Sequence, residues 1–236
     1  ATLAGAGPDF AWHERVATLP DGPLLVAANE LFDALPMRQF VKTGAGWRER
    51  VVGIGPDGGL AFMAGTAGID PALLPPDADA ALPGAIVEVA PAREALMETI
   101  AERLATQGGA GLFVDYGYVG PALGDTLQAL RRHRYDDPLA APGEADLTSH
   151  VDFAPLGAAA KRHGLSVAIA AQGDFLLGLG LAERAGALGA QQDEAGRERI
   201  RQAVERLAGP AGMGSLFKVM SVRAASAGAN RSPLGD

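Results

Sequence analysis

The chain has 236 residues, 48% of them apolar, with 28 acidic against 20 basic side chains and a formal net charge of -8. Those values supply a core for one large domain, and they exclude a general binder of phosphate backbones, so a nucleic-acid partner is not expected and a cationic ligand or basic protein suits better. The absence of cysteine removes any disulfide framework, thiol nucleophile or thiolate metal site, and no apolar run reaches the ~18 residues needed to insert into a membrane.

The chain opens on Ala1 without a basic-then-apolar leader pattern, and its first strand candidate comes only at Leu24. The expectation is a cytoplasmic protein from which an N-terminal part is absent. Ala1 to Asp9 reads as a small-residue loop, and Phe10 to Leu19 as a connecting segment closed by the turn Pro20-Asp21-Gly22. The apolar run Leu24 to Ala28 then predicts a strand buried on both faces. It stops at Asn29-Glu30, and in open α/β sheets ligands bind beyond the carboxyl ends of strands. Asn29, Glu30 and Asp33 are therefore candidate site residues. Leu31, Phe32 and Leu35 can pack a short helical turn before Pro36, so Asn29 reads equally well as a helix N-cap.

Met37 to Thr43, Trp47 to Ile54 and Gly59 to Ala64 predict an antiparallel β-meander, and Ile69 to Pro83 an exposed loop, so residues 37–83 read as an insertion. Gly84 to Val89 then resumes the strand–helix alternation. Pro91 starts a helix carrying Leu96, Ile100 and Leu104 on one face, and Gly108-Gly109 ends it. Ala110 to Val114 is a second apolar strand, ending in Asp115-Tyr116-Gly117. Two strands thus deliver carboxylates to one edge.

The stretch Gly124 to Phe153 carries Asp125, Thr126, Gln128, His133, Asp146, Thr148, His150 and Asp152 with little periodicity, and reads as a functional loop. Ala154 to His163 predicts a helix, Leu165 to Ala171 a strand, Phe175 to Leu188 a helix, and Glu194 to Leu207 an amphipathic helix with Ile200, Val204 and Leu207 inward. Leu216 to Val222 is the last strand, and residues 224–236 read as a flexible tail.

Several local signals are tempting. Gly53-Ile54-Gly55-Pro56-Asp57-Gly58 matches GxGxxG, but no helix follows, so it reads as a hairpin turn. Gly178-Leu179-Gly180 reads as close packing within a helix. His150 and Asp152 lie two apart, so an extended segment would put them on one face, as an acid–base pair or as a structural histidine beside a carboxylate. Two residues are too few for a metal site, and none is expected. The run Arg131-Arg132-His133-Arg134 and the three other histidines read as solvated surface.

Six segments occur in the order seen in one family: ANELFDALP (28–36), VDYGY (114–118), GDTLQA (124–129), DPLAAPGEADLTSHVDF (137–153), QGDFLLGLG (172–180) and MGSLFKVM (213–220). Over residues 12–223 the chain resembles the MidA-type S-adenosylmethionine-dependent methyltransferases, whose mitochondrial members are protein arginine methyltransferases assisting respiratory complex I assembly. The resemblance implies an α/β, Rossmann-like methyltransferase sheet of seven strands with Leu24 to Ala28 as the fourth, bearing an antiparallel β insertion and extra helices. The family's glycine-rich cofactor loop lies upstream of the matched part, so the chain corresponds to the C-terminal two-thirds of one methyltransferase domain, residues 1–223, with 118–153 as a substrate-side loop region.

The implied cofactor is S-adenosyl-L-methionine and the implied acceptor an arginine on a protein partner, in mitochondrial relatives a complex I subunit. On that basis Glu30 is the guanidinium clamp, Asn29 its positioning neighbour and a candidate cofactor contact, and His150 with Asp152 either accepts the departing proton or orders the acceptor loop. Asp33, Phe32, Asp115, Tyr116 and Asp125 are expected to border the acceptor. Two rivals remain. The meander and the 124–153 loop suit a non-catalytic assembly or chaperone module holding a partner subunit, and His150 with Asp152 would suit a hydrolase, for which no nucleophile motif is present. Pairing of two copies into a homodimer stays open.

Overall fold

The structure, a computed structural model, describes residues 10–132 and 134–224. The expectations for Ala1 to Asp9, for His133 and for the tail beyond Ala224 lie outside the described residues.

The apolar runs form a mixed central sheet. β1 (Leu24–Asn29) pairs in parallel with β6 (Gly109–Tyr118), which pairs antiparallel with β12 (Phe217–Arg223), and β12 pairs antiparallel with β11 (Ser166–Ala171). β6 outlasts β1: its last residues, Gly117 and Tyr118, pair with Val151 and Asp152 of β10 (Val151–Asp152). This is five strands among the described residues, against the seven implied by the resemblance.

One face of the sheet is covered by α1 (Pro91–Gln107) and α2 (Phe153–Arg162), which bury Phe32, Met97, Leu104, Phe113, Phe153, Leu156 and Met220 in the main core. The other face is open at β1. Leu25 is 85% exposed, while Leu24, Val26 and Ala28 pack against the core. The expectation of a strand buried on both faces is thus corrected: β1 is an edge strand of this sheet with one face packed. The helices are also tied to each other at the surface, where Glu98 of α1 pairs with Arg162 and His163, so His163 is half-buried rather than a solvated histidine.

The meander forms as expected from β2 (Arg38–Thr43), β3 (Gly46–Ile54) and β4 (Leu60–Ala64), and Gly53 to Gly58 is part of its hairpin. Its limits differ from expectation. β5 (Ile86–Val89) does not return to the central sheet but pairs with β2, giving the order β4-β3-β2-β5. The segment read as an exposed loop carries two single-turn helices, Pro71–Leu73 and Ala78–Ala80, and packs Ile69, Leu74, Ala78 and Ala81 over Phe40, Trp47 and Val87. The meander therefore has its own small core.

The 124–153 stretch is corrected too. It holds a three-stranded antiparallel sheet of β7 (Gln128–Arg131), β8 (Arg134–Asp136) and β9 (Asp146–Thr148), whose strands are too short to show a period. Between β11 and β12 lie α3 (Gln172–Gly178), α4 (Leu181–Gly189), α5 (Glu194–Ala208) and α6 (Met213–Leu216). The single helix expected over 175–188 breaks at Gly180, whose φ of +88° is left-handed backbone that glycine adopts without strain.

Gly117 shows how tightly β10 is laid on β6, because a Cβ at this position would stand 1.9 Å from the Val151 carbonyl oxygen. Gly117→Ala is expected to cost at least about 1–3 kcal/mol of stability by forcing β10 off the sheet. Urea denaturation against the unsubstituted chain measures it, and an unchanged midpoint would show that the two strands can separate freely.

Candidate active site

A cavity of about 600 Å³ opens beyond the carboxyl ends of β1 and β6, lined by Glu30, Asp33, Tyr116, Gln128, Tyr135, Asp146, Thr148, His150 and Phe217 among others. Four of the expected residues meet there: Glu30, Asp33, Tyr116 and His150. Asn29 adjoins them, donating its side-chain N–H to Glu30 Oε1 at 3.0 Å.

The chain leaves β1 through Glu30, whose φ of +51° is left-handed and uncommon for a residue with a side chain. Glu30 N–H still bonds Val114 O at 2.9 Å. No helix follows, so the N-cap reading of Asn29 is not met. Instead the next backbone is gripped by a buried carboxylate: Asp115 Oδ2 accepts the N–H groups of Phe32 at 3.0 Å and Asp33 at 3.2 Å, and Oδ1 accepts that of Tyr116. Arg93, near the start of α1, takes the same loop from its carbonyl side. Its guanidinium donates to Asp33 O, Ser149 O, Ser149 Oγ and His150 O, which joins the loop after β1 to the loop before β10.

With the backbone so held, the Asp33 side chain accepts the Tyr116 hydroxyl at 2.5 Å. Burial, reinforced by Asp33, pushes the Tyr116 phenol above its ordinary pKa, so it stays a donor at neutral pH. The His150 ring stands edge-on to Tyr116 with centroids 5.5 Å apart, and its Nε2 lies 3.2 Å from Gln128 Nε2. Burial lowers the His150 pKa, favouring the neutral ring, whose Nε2 can accept the amide N–H. Among the described residues the Thr148 hydroxyl, buried in the wall, has no hydrogen-bond partner. Three carboxylates face one cation, Arg132, so the cavity carries an acidic balance.

Four expected site residues are placed elsewhere. Phe32 is buried in the core against the Phe113 ring and cannot touch a ligand. Asp115 is fully enclosed and acts on the backbone, not on the acceptor. Asp125 is spent on Arg50 and Gln39, on the meander side. Asp152 does not meet His150: it caps α2, accepting Ala154 N–H and Gly120 N–H, each at 2.9 Å. The expected His150–Asp152 pair is not formed, because Asp152 is drawn to the helix start and His150 to Gln128.

Arg93 was not among the expected site residues. Its signal was a cation in the first turn of a helix, where the macrodipole disfavours positive charge. Phe217, which packs edge-on against Tyr116, lay inside the segment read as the final strand.

These features agree with what the chain resembles. Residues 2–171 match the model of the family described as "Putative S-adenosyl-L-methionine-dependent methyltransferase". The chain belongs to this family. It is 33% identical over 215 residues to the zebrafish (Danio rerio) mitochondrial protein arginine methyltransferase NDUFAF7, covering 89% of this chain and 50% of that protein. With the human (Homo sapiens) NDUFAF7 the identity is 33% over 224 residues, covering 92% and 49%. The chain thus spans about half the length of these curated relatives.

Two crystal structures from Burkholderia thailandensis superpose on the family's fold as seen here. One has TM-score 0.73 and 30% identity, covering 87% of this chain and 56% of that one. The other, bound to S-adenosyl-homocysteine, has TM-score 0.71 and 27% identity, covering 90% and 56%. The Rossmann-like methyltransferase fold expected from the motifs is therefore the fold of this chain.

Burial, with Asp33 nearby, outweighs the three N–H donors and raises the Asp115 carboxyl from its ordinary 3.8 to about 7. The folded chain then keeps this proton through a range where the unfolded chain has lost it, so stability falls as pH rises from about 4 to 7, by roughly 1.4 kcal/mol per unit. Asp115→Asn is expected to be less stable than the unsubstituted chain at pH 5, with the gap narrowing towards pH 8. Denaturant titrations at both pH values measure this, and parallel stabilities would place Asp115 at its ordinary pKa.

Proposed function

We propose that the protein transfers a methyl group from S-adenosylmethionine to an arginine side chain of a protein partner. The observation that carries this reading is the convergence of Glu30 with the Asp33–Tyr116 pair in an acidic, aromatic-walled cavity at the carboxyl ends of β1 and β6. Support comes from the protein arginine methyltransferases among its relatives.

A guanidinium is planar, permanently charged and able to give two parallel N–H bonds to a carboxylate. Glu30 suits that clamp: it stands exposed at the end of β1 in the cavity lining, and Asn29 steadies its Oε1. Tyr116 and Phe217 offer ring faces and edges to the guanidinium plane. Asp33, held by the Tyr116 hydroxyl, adds a second negative charge. His150, neutral beside Gln128, can take the proton that the methylated nitrogen releases; Asp152, as the cap of α2, is not assigned a part in proton transfer.

The cofactor supplies a methyl group on a sulfonium, already a reactive electrophile. The described residues fit one side of it. Asn29 stands exposed at the end of the open strand β1, where its amide can meet the cofactor's polar end. The single GxGxxG of the chain is a hairpin turn and cannot cradle it. We therefore assign the main cofactor grip to a glycine-rich loop upstream of the part described, and the residues here to acceptor binding.

The motif resemblance extends the reading to a respiratory complex I subunit as acceptor, and the Ala-, Gly- and Arg-rich composition to a bacterial cytoplasm as the site of action. Among the described residues no helix is long and apolar enough to cross a membrane.

Glu30→Gln keeps the shape of the clamp and removes its charge. Transfer by the full-length protein to an arginine peptide is expected to fall roughly 10²–10³-fold, with S-adenosyl-homocysteine binding retained in calorimetry. Unchanged turnover would sink the clamp, and failure of the unsubstituted full-length protein to bind either form of the cofactor would sink the methyltransferase reading.

A further inference from the structure

The β3–β4 hairpin is apolar where a surface hairpin is ordinarily polar. On one of its faces the cross-strand pairs Val52–Phe62 and Ile54–Leu60 lie side by side, with Val52 52%, Ile54 66% and Leu60 42% exposed. On the opposite face Val51 and Met63 form another exposed pair. β4 ends the sheet order, so its outer edge carries no strand among the described residues. An exposed, apolar edge strand is a template for adding another extended chain, and proteins that do not use such an edge blunt it with charge, proline or a bulge. Between Leu60 and Ala64 there is no charge and no proline.

The patch also leads somewhere. Phe62, with the Arg50 guanidinium stacked 3.7 Å over its ring, lines a second cavity of about 380 Å³ together with Leu35, Leu127 and Leu147. Asp33 and Thr148 line both that cavity and the acidic one beyond β1 and β6. A track therefore runs from the hairpin along Phe62 and Leu147, past the ion pairs Arg38–Glu49 and Arg50–Asp125, to the wall shared with the candidate active site. Along the strand, the step from the Ile54–Leu60 pair to the Arg50–Ala64 pair is about 13 Å, the reach of four extended residues.

We propose that this edge docks the polypeptide substrate. An extended segment of the partner adds to the free edge of β4, lays alternate apolar side chains beside Leu60 and Phe62 on one face and Met63 on the other, and continues past Leu147 to deliver a cationic side chain to Glu30 and Asp33. Main-chain pairing supplies affinity here and the alternate side chains supply choice, as in other strand-addition complexes. The occupant is a β-prone apolar segment next to an arginine. The acidic end of the track and the apolar start match that polarity, and the inference rests on the arginine-transfer reading above.

The test uses the full-length protein and a labelled synthetic peptide with alternating valines and one arginine near its end. Fluorescence anisotropy is expected to show binding that weakens about tenfold or more in the double variant Leu60→Ser, Met63→Ser, whose denaturation midpoint should be unchanged because both side chains are exposed. A peptide N-methylated on alternate backbone amides, which cannot add to a strand edge, is expected to lose affinity equally. No binding by the unsubstituted protein, or equal binding by the double variant, overturns the docking edge and leaves the arginine reading to the Glu30 experiment. Hairpin-dependent binding without methyl transfer supports the edge and overturns arginine as the acceptor.

Discussion

Two buried polar groups, a carboxyl and a guanidinium, hold one residue from its two ends, and the candidate site depends on that grip. Asp115 accepts the N–H of Asp33 and Arg93 donates to its carbonyl oxygen. No direct bond joins the two groups, so each is satisfied mainly by backbone. Arg93 is nonetheless drawn toward its charged state by Asp115, against the burial that lowers its pKa. Burying the guanidinium costs several kcal/mol, and here the return is positional: truncating either group would leave the buried backbone donors or acceptors it serves unpaired. What this fixes is the backbone of Asp33, and only then can its carboxylate be presented to Tyr116 with the cavity beyond it.

The same device ties the insertion to the site. Glu88 of β5 accepts the side-chain amide of Gln39 and both the N–H and the hydroxyl of Thr126. The Thr126 oxygen in turn accepts the N–H of His150 at 2.9 Å. Had β5 joined the central sheet, as strand–helix alternation suggests, Glu88 would not face Thr126. Because it closes the meander instead, the meander core around Phe40 and Trp47 becomes the footing for His150. Burial of apolar surface in one small sheet thus steadies a polar group in the neighbouring cavity.

Much of this was legible in the sequence where a rule acts locally. Apolar runs located β1, β6, β11 and β12, the proline and paired glycines bounded α1, and the missing helix exposed the false glycine motif. The failures come from long-range choices. Asp115 looked like a strand-end residue because β6 seemed to stop at Val114. In fact β12 and β10 extend it to Tyr118, and Asp115 then shares the inward face of Phe113 and Gly117, two residues apart along a strand. Asp152 shows the reverse case. An aspartate directly before a helical run is a local N-cap signal, and it outweighs the spacing that pointed to a pair with His150. The short strands of 128–148 gave no readable period because three or four residues contain hardly two repeats of alternation.

The acidic character of the cavity raises a question for any arginine transfer, since carboxylates that bind a guanidinium also hold its protons. Methyl transfer moves positive charge from sulfonium onto a group that already carries one, before a proton leaves. The charge on the acceptor therefore grows at the moment of reaction. Fixed carboxylates aimed at that point bind the transition state more strongly than the ground state, which is the condition for lowering the barrier. Held in place by Asn29 and Tyr116, Glu30 and Asp33 need little reorganisation to do so. In the proposed reaction a neutral His150 would complete the balance, because a base already protonated could take nothing from the methylated nitrogen; partial burial of its ring lowers its pKa and favours that neutral state. On the proposed reading the division of labour is electrostatic: two carboxylates would stabilise the charge as it builds, and one half-buried imidazole would take the proton.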